Sequence, residues 1–244
     1  MSCKYLEHNE TALAYHALPA TGPRQPTVMF LGGYRSDMTG TKALYLEEQC
    51  RLRRQGFIRF DYSGHGASGG KFEDGSLSRW KDDARAILDH VVPTGPVILA
   101  GSSMGGWIAL LLAREHPERI AGVVGIAAAP DFTRQMAAAL TDVQKAEMET
   151  QGFIHVPNNY SPEPYLITKA LLDDGEKHCL LDRPFKLPMP VRLVQGMKDE
   201  DVPWQTAHRI KNVIEGDVEV LLRENGDHRL SQPDDLALIG AQVA

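Results

Sequence analysis

Residues 97–107 read Val97-Ile98-Leu99-Ala100-Gly101-Ser102-Ser103-Met104-Gly105-Gly106-Trp107, an apolar run that breaks at a Gly-x-Ser-x-Gly pentapeptide. Apolar residues then resume with helical periodicity at Ile108, Leu111 and Leu112. A buried strand running straight into a helix through a serine describes a nucleophile elbow, in which the serine occupies a strained turn at the end of a strand. Strand and helix approach closely there, so the residues two positions either side of the serine must lack a Cβ. Ser103 has glycine at both positions, Gly101 and Gly105, whereas Ser102 has Ala100 and Met104. The spacing therefore selects Ser103 as nucleophile. It also requires a strand whose carboxyl end is open to a ligand.

The rest of the chain repeats this alternation. Apolar runs predict strands over 13–17, 27–31, 56–61, 97–101, 121–127, 191–196 and 218–223, with helices over 41–54, 78–91, 104–115 and 205–214 and a final one from Pro233. Ser78 is positioned to cap the second helix, and Glu115-His116-Pro117 marks a helix stop. The pattern gives an α/β fold, with a mostly parallel central sheet flanked by helices. At 244 residues one such domain accounts for the whole chain. Residues 131–187 break the rhythm with Pro, Met and aromatic residues and two helix-like pieces, 133–152 and 164–174. This segment is expected to form a small helical cap over the carboxyl ends of the strands, where open parallel sheets bind ligands.

Composition removes several function classes. A 43% hydrophobic and 24% charged chain is globular, and a net charge of −6 disfavours nucleic acid or an anionic membrane as partner. No stretch is long enough to span a bilayer. The three cysteines, Cys3, Cys50 and Cys179, form neither a disulfide framework nor a zinc site, and the N-terminus is neither Arg-rich nor followed by an apolar signal. Together these lead to an expected cytoplasmic location. His-Glu-x-x-His, Cys-x-x-Cys and Gly-x-x-x-x-Gly-Lys are absent from the sequence, so no metal and no cofactor is expected.

A serine hydroxyl needs a base to take its proton and a third group to orient that base. Where a Gly-x-Ser-x-Gly serine is so equipped, the acid and then the histidine follow it in the chain. The run 191–195 leads into Gly196-Met197-Lys198-Asp199-Glu200-Asp201-Val202-Pro203, and the run 218–222 into Asn225-Gly226-Asp227-His228. Asp199 is the expected acid, with Glu200 and Asp201 as competitors, and His228 the expected base. His65, in Asp61-Tyr62-Ser63-Gly64-His65-Gly66, is the rival histidine, but it precedes the serine. Acyl transfer also needs N–H donors aimed at the oxyanion. Met104, following the serine, supplies one; Tyr34, after Gly32-Gly33, is the expected second.

With these residues assembled, the chain resembles the α/β-hydrolases, and more narrowly the mitochondrial palmitoyl-protein thioesterase and mycophenolic acid acyl-glucuronide esterase family. The likeness rests on Gly33-Tyr34 with Met38-Thr39-Gly40-Thr41-Lys42-Ala43, on Arg59-Phe60-Asp61-Tyr62-Ser63-Gly64, and on Gly101-Ser102-Ser103-Met104-Gly105-Gly106-Trp107. It continues through His178-Cys179-Leu180-Leu181, Gly196-Met197-Lys198-Asp199 with Val202-Pro203-Trp204, and Asp227-His228-Arg229. The resemblance implies a Ser103–Asp199–His228 triad. It also implies cleavage of esters or acyl thioesters through an acyl-enzyme, the substrate being a small molecule or an S-acylated protein. Between 131 and 165, the part of the cap that would choose the acyl chain, the match is looser. A serine aminopeptidase acting on amides, or a binding protein on the same fold, are the alternatives.

Overall fold

The computed structural model describes residues 3–22, 25–92, 94–157 and 164–244. From the N-terminus run β1 (Lys4–His8), β2 (Thr11–Leu18), β3 (Thr27–Leu31), α1 (Thr41–Leu52), β4 (Phe57–Phe60), α2 (Leu77–Val91), β5 (Val97–Ser102), α3 (Met104–Glu115) and β6 (Ile120–Ile126). The chain then leaves the sheet through α4 (Phe132–Ala139), α5 (Asp142–Gln151), β7 (Phe153–Val156), β8 (Tyr165–Thr168), α6 (Lys169–Glu176) and β9 (Phe185–Lys186). It returns with β10 (Val191–Gly196), α7 (Gln205–Val213), β11 (Ile214–Glu215), β12 (Val218–Arg223) and α8 (Pro233–Gln242).

Eight strands form one sheet in the order β1-β2-β4-β3-β5-β6-β10-β12. β2 pairs antiparallel with both of its neighbours, and every other pairing in this sheet is parallel. Both faces are covered, which is why the central strands read as continuous apolar runs rather than alternating ones. Trp80 and Leu88 of α2, Trp107 and Leu111 of α3 and Ile210 of α7 pack one face; Leu46 and Cys50 of α1 and Ile239 of α8 pack the other. Helix α3 is buried on nearly all sides, consistent with its position over the middle of the sheet. The parallel strands β3, β5, β10 and β12 deliver Leu31, Ser102, Gly196 and Arg223 to the same edge. All the expected site residues follow those ends.

The excursion between β6 and β10 differs from its expectation. The helix expected over 133–152 is two helices, because the Thr141 side chain accepts from Gln144 N–H and the Gln144 side chain reaches back to Thr141, a capping box that starts α5 afresh. Residues 165–168, expected as helix, form β8, which pairs antiparallel with β7. Strand β1 lies outside the runs expected from the sequence, its charged residues fitting an edge position. At α2 the cap is Ser76, whose hydroxyl accepts from Arg79 N–H. Ser78 instead donates through its N–H and hydroxyl to Asp174, at 2.7 and 2.8 Å, and its oxygen accepts from His178 Nε2 at 2.6 Å. The excursion is thereby fastened to α2. Its two ends are fastened to each other by Asp131, whose buried carboxylate accepts from the N–H groups of Leu180 and Leu181.

Candidate active site

Ser103 lies between β5 and α3 with φ 54° and ψ −116°, a backbone conformation that L-residues avoid and that surrounding structure must hold in place. Its N–H donates to the Ile126 carbonyl at 2.9 Å, and its carbonyl accepts from Ala129 N–H at 3.1 Å. The flanking glycines are required by close approach. A Cβ on Gly101 would stand 2.2 Å from the Gly105 carbonyl oxygen, and one on Gly105 would stand 2.1 Å from that of Leu31.

Asp199 is buried, and each of its carboxylate oxygens accepts two donors. Oδ1 takes the N–H groups of Asp201 and Val202, at 2.9 and 2.8 Å; Oδ2 takes Gln195 Nε2 and His228 Nδ1, both at 2.9 Å. Glu200 and Asp201 are exposed. The Asp199–His228 bond directs the imidazole's Nδ1–H at the acid and leaves Nε2 to face elsewhere. Asp201 brings a ligand atom within 4.8 Å of Asp199 and His228, but four N–H donors already occupy the Asp199 oxygens. That is a poor set for a cation.

Gly33 runs close beside the serine: a Cβ there would lie 3.4 Å from Ser103 Cβ. This brings the Gly33-Tyr34 loop beside Ser103, and Met104 follows the serine in the chain. The Tyr34 ring packs edge-on to Phe72, Trp80 and Tyr165, and its hydroxyl, pushed well up by burial, donates to the Leu166 carbonyl at 2.8 Å. His65 has a different role from His228. It is buried against Tyr62, Phe72 and Trp80, and burial lowers its pKa to about 4, so the ring is neutral at physiological pH. Its Nδ1 meets the Ser63 carbonyl at 3.2 Å and Nε2 accepts Arg35 N–H at 3.3 Å, which secures the loop just beyond Tyr34.

Ser103, Met104, Tyr34 and His228 all line one cavity of about 660 Å3. Its lining mixes apolar residues, among them Phe132, Met136 and Ala139 of α4, with polar ones such as Arg35, Lys42 and Arg229.

Comparison with known proteins agrees with this architecture. A family model described as serine aminopeptidase, S33 matches residues 26–178. The mouse mitochondrial palmitoyl-protein thioesterase ABHD10 is 40% identical over 242 residues, 98% of this chain and 80% of that protein. The human protein of the same name is 39% identical over 229 residues, covering 93% and 74%. The chain belongs to this α/β-hydrolase family. Among solved structures, mouse ABHD10 superposes with a TM-score of 0.90 at 39% identity, over 100% of this chain and 97% of that one. A protein of Agrobacterium vitis S4 gives 0.93 at 41%, over 99% and 96%. As a member of the family the chain is a hydrolase.

The family relationship corrects one expectation. The cytoplasmic location inferred from cysteine usage and the N-terminal residues does not stand, because these relatives are mitochondrial proteins. Cysteine content reports reducing conditions but does not tell one reducing compartment from another. No helix among the described residues is long and apolar enough to cross a membrane.

Two residues of this α/β-hydrolase site carried no signal of their own in the sequence. Gln195 is buried near the end of β10 and donates to Asp199; its trace is a polar residue after the apolar pair Leu193-Val194. Lys42 reaches the cavity from α1 and donates to the Arg229 carbonyl. Only its place in the Met38–Ala43 motif marked it.

Proposed function

We propose that this hydrolase is a serine esterase and thioesterase acting through an acyl-enzyme on Ser103. In this reading His228 Nε2 takes the Ser103 proton as Oγ attacks the acyl carbon, and Asp199 holds the ring's tautomer and stabilises the imidazolium. The N–H groups of Met104 and Tyr34 donate to the oxyanion, each worth on the order of 3 kcal/mol. The imidazolium then protonates the leaving alcohol or thiol. A water deprotonated by the same imidazole releases the acid and regenerates Ser103.

The observation that carries the proposal is the 2.9 Å bond between His228 Nδ1 and a buried, four-times-bonded Asp199, on a cavity that Ser103 also lines. Residues 131–187 act as the cap. Their apolar α4 residues in the cavity lining support an apolar acyl group. The names of the mouse and human relatives favour a thioester over an amide.

A fluorophosphonate probe tests the nucleophile: wild type should be labelled at Ser103 and Ser103→Ala should not. Parallel turnover of p-nitrophenyl esters, acyl thioesters and amino-acid anilides tests the substrate class. Anilide turnover exceeding ester turnover would replace this reading with a peptidase.

A further inference from the structure

The loop that carries His228 is held by several contacts, and one of them comes from a distant helix. Gly226 accepts Lys198 N–H at 2.9 Å, and Asp227 Oδ1 accepts Leu230 N–H at 2.9 Å. Leu230 is fully buried with φ 45°, so the backbone just past the histidine is strained. Between those two anchors, the Lys42 ammonium, from the first turn of α1 and 187 positions away in sequence, donates to the carbonyl of Arg229. Lys42 also lines the cavity shared by Ser103 and His228.

We propose that Lys42 is a positioning residue for the proton relay: by holding the Arg229 carbonyl it sets where the neighbouring His228 imidazole stands relative to Ser103. The proposal rests on the catalytic reading given above. A bound ammonium suits this task because it is a compact, charge-assisted donor at the end of a four-carbon stem that can cross a cleft. A strained loop without its anchor relaxes, and a displacement of about 1 Å in a reacting group costs on the order of 10²-fold in rate.

The charges around Lys42 give the clamp a pH range. Burial lowers its pKa to about 8, with Arg229 acting in the same direction and Asp227 and Asp199 opposing it. The ammonium is the stronger donor, so the clamp is firm below about pH 8 and loosens above it.

The test uses the full chain with Lys42→Met and Lys42→Arg, assayed on a p-nitrophenyl acyl ester, with circular dichroism melts as a folding control. Lys42→Met should lower kcat by about 10- to 100-fold. Fluorophosphonate labelling of Ser103 should slow to a similar extent. Wild-type kcat should fall as the pH passes about 8, whereas Lys42→Arg, charged throughout, should keep its rate. A Lys42→Met enzyme within twofold of wild type in kcat and labelling overturns the proposal, and so does an alkaline limb that persists unchanged in Lys42→Arg. If Lys42→Met does not fold, that limb in Lys42→Arg decides alone. Failure of wild type to label at Ser103 would instead overturn the catalytic reading itself.

Discussion

The turn from β5 to α3 and the excursion from β6 to β10 meet at the same cavity but are held together in opposite ways. At the turn, backbone touches backbone: Gly101, Gly105 and the Leu31 carbonyl leave no room for a methyl group. In the excursion, side chains bridge between elements, as Asp131 does to Leu180 and Leu181, Asp174 to Ser78, and Arg134 to Glu176 and Asp182. Close backbone packing holds the backbone of Ser103 in one place. Side-chain bridges fix an element's place while leaving its surface free to vary. A hydrolase benefits from the first around its nucleophile and from the second around the variable part of its substrate.

Under the proposed mechanism the largest effect should come from Asp199, which neither region contains. Asp199→Asn is expected to lower kcat by about 10⁴-fold, because the amide favours the wrong imidazole tautomer. No single substitution on the cavity face of α4 should approach this; a Met136→Ala enzyme losing comparable activity on every acyl length would remove the contrast. Next, Gly105→Ala should destabilise by about 3 kcal/mol or more, since its methyl group meets the Leu31 and Gly32 carbonyls. Urea denaturation measures this. A loss below about 1 kcal/mol would mean the turn can relax.

His65, packed outside both regions beside the loop that carries Tyr34, gives a further test. Its folded pKa of about 4 lies below the ordinary histidine value, so on acidification the unfolded chain takes up the proton first. Stability is therefore complete above about pH 6.5 and is lost as the pH falls toward 4, by about 2 kcal/mol at pH 5. Denaturation at pH 7.5 and 5 should show this loss in wild type and a smaller one in His65→Gln; equal losses would refute the assignment. His178, also lowered by burial, adds in the same direction. The smallest effect is expected at Gly152, which ends α5 with φ 80° and has nothing within 4 Å of the point where an alanine methyl group would stand. Gly152→Ala should cost about 1 kcal/mol, all of it backbone strain, and leave kcat unchanged.

The same contrast explains what could be read from the residues alone. β3, β10 and α3 have the bounds that their apolar runs predict, because each is buried for nearly its whole length and its neighbours in sequence decide its environment. In the excursion long-range partners decide. Residues 165–168 are a strand because β7 is beside them, and the break at Leu140 is set by a Thr141–Gln144 box that a period count passes over. At the site, chain order and strand ends pointed to Asp199 and His228, which the structure joins. Asp199's two backbone donors come from its own turn, but Gln195 and Lys42 act through space, and neither residue type announces such a role. The α2 cap falls at Ser76, two positions before the expected Ser78, because Ser78, equally able to cap, is bonded to Asp174.

Asp131 closes the stem of the excursion by binding the backbone of Leu180 and Leu181. Two points far apart along the chain are thereby stitched into a single base, and a replacement segment would have to keep that root together with the bonds to Ser78, Tyr34 and Trp107. A lineage changing its substrate would vary the surface of that segment and retain its fastenings.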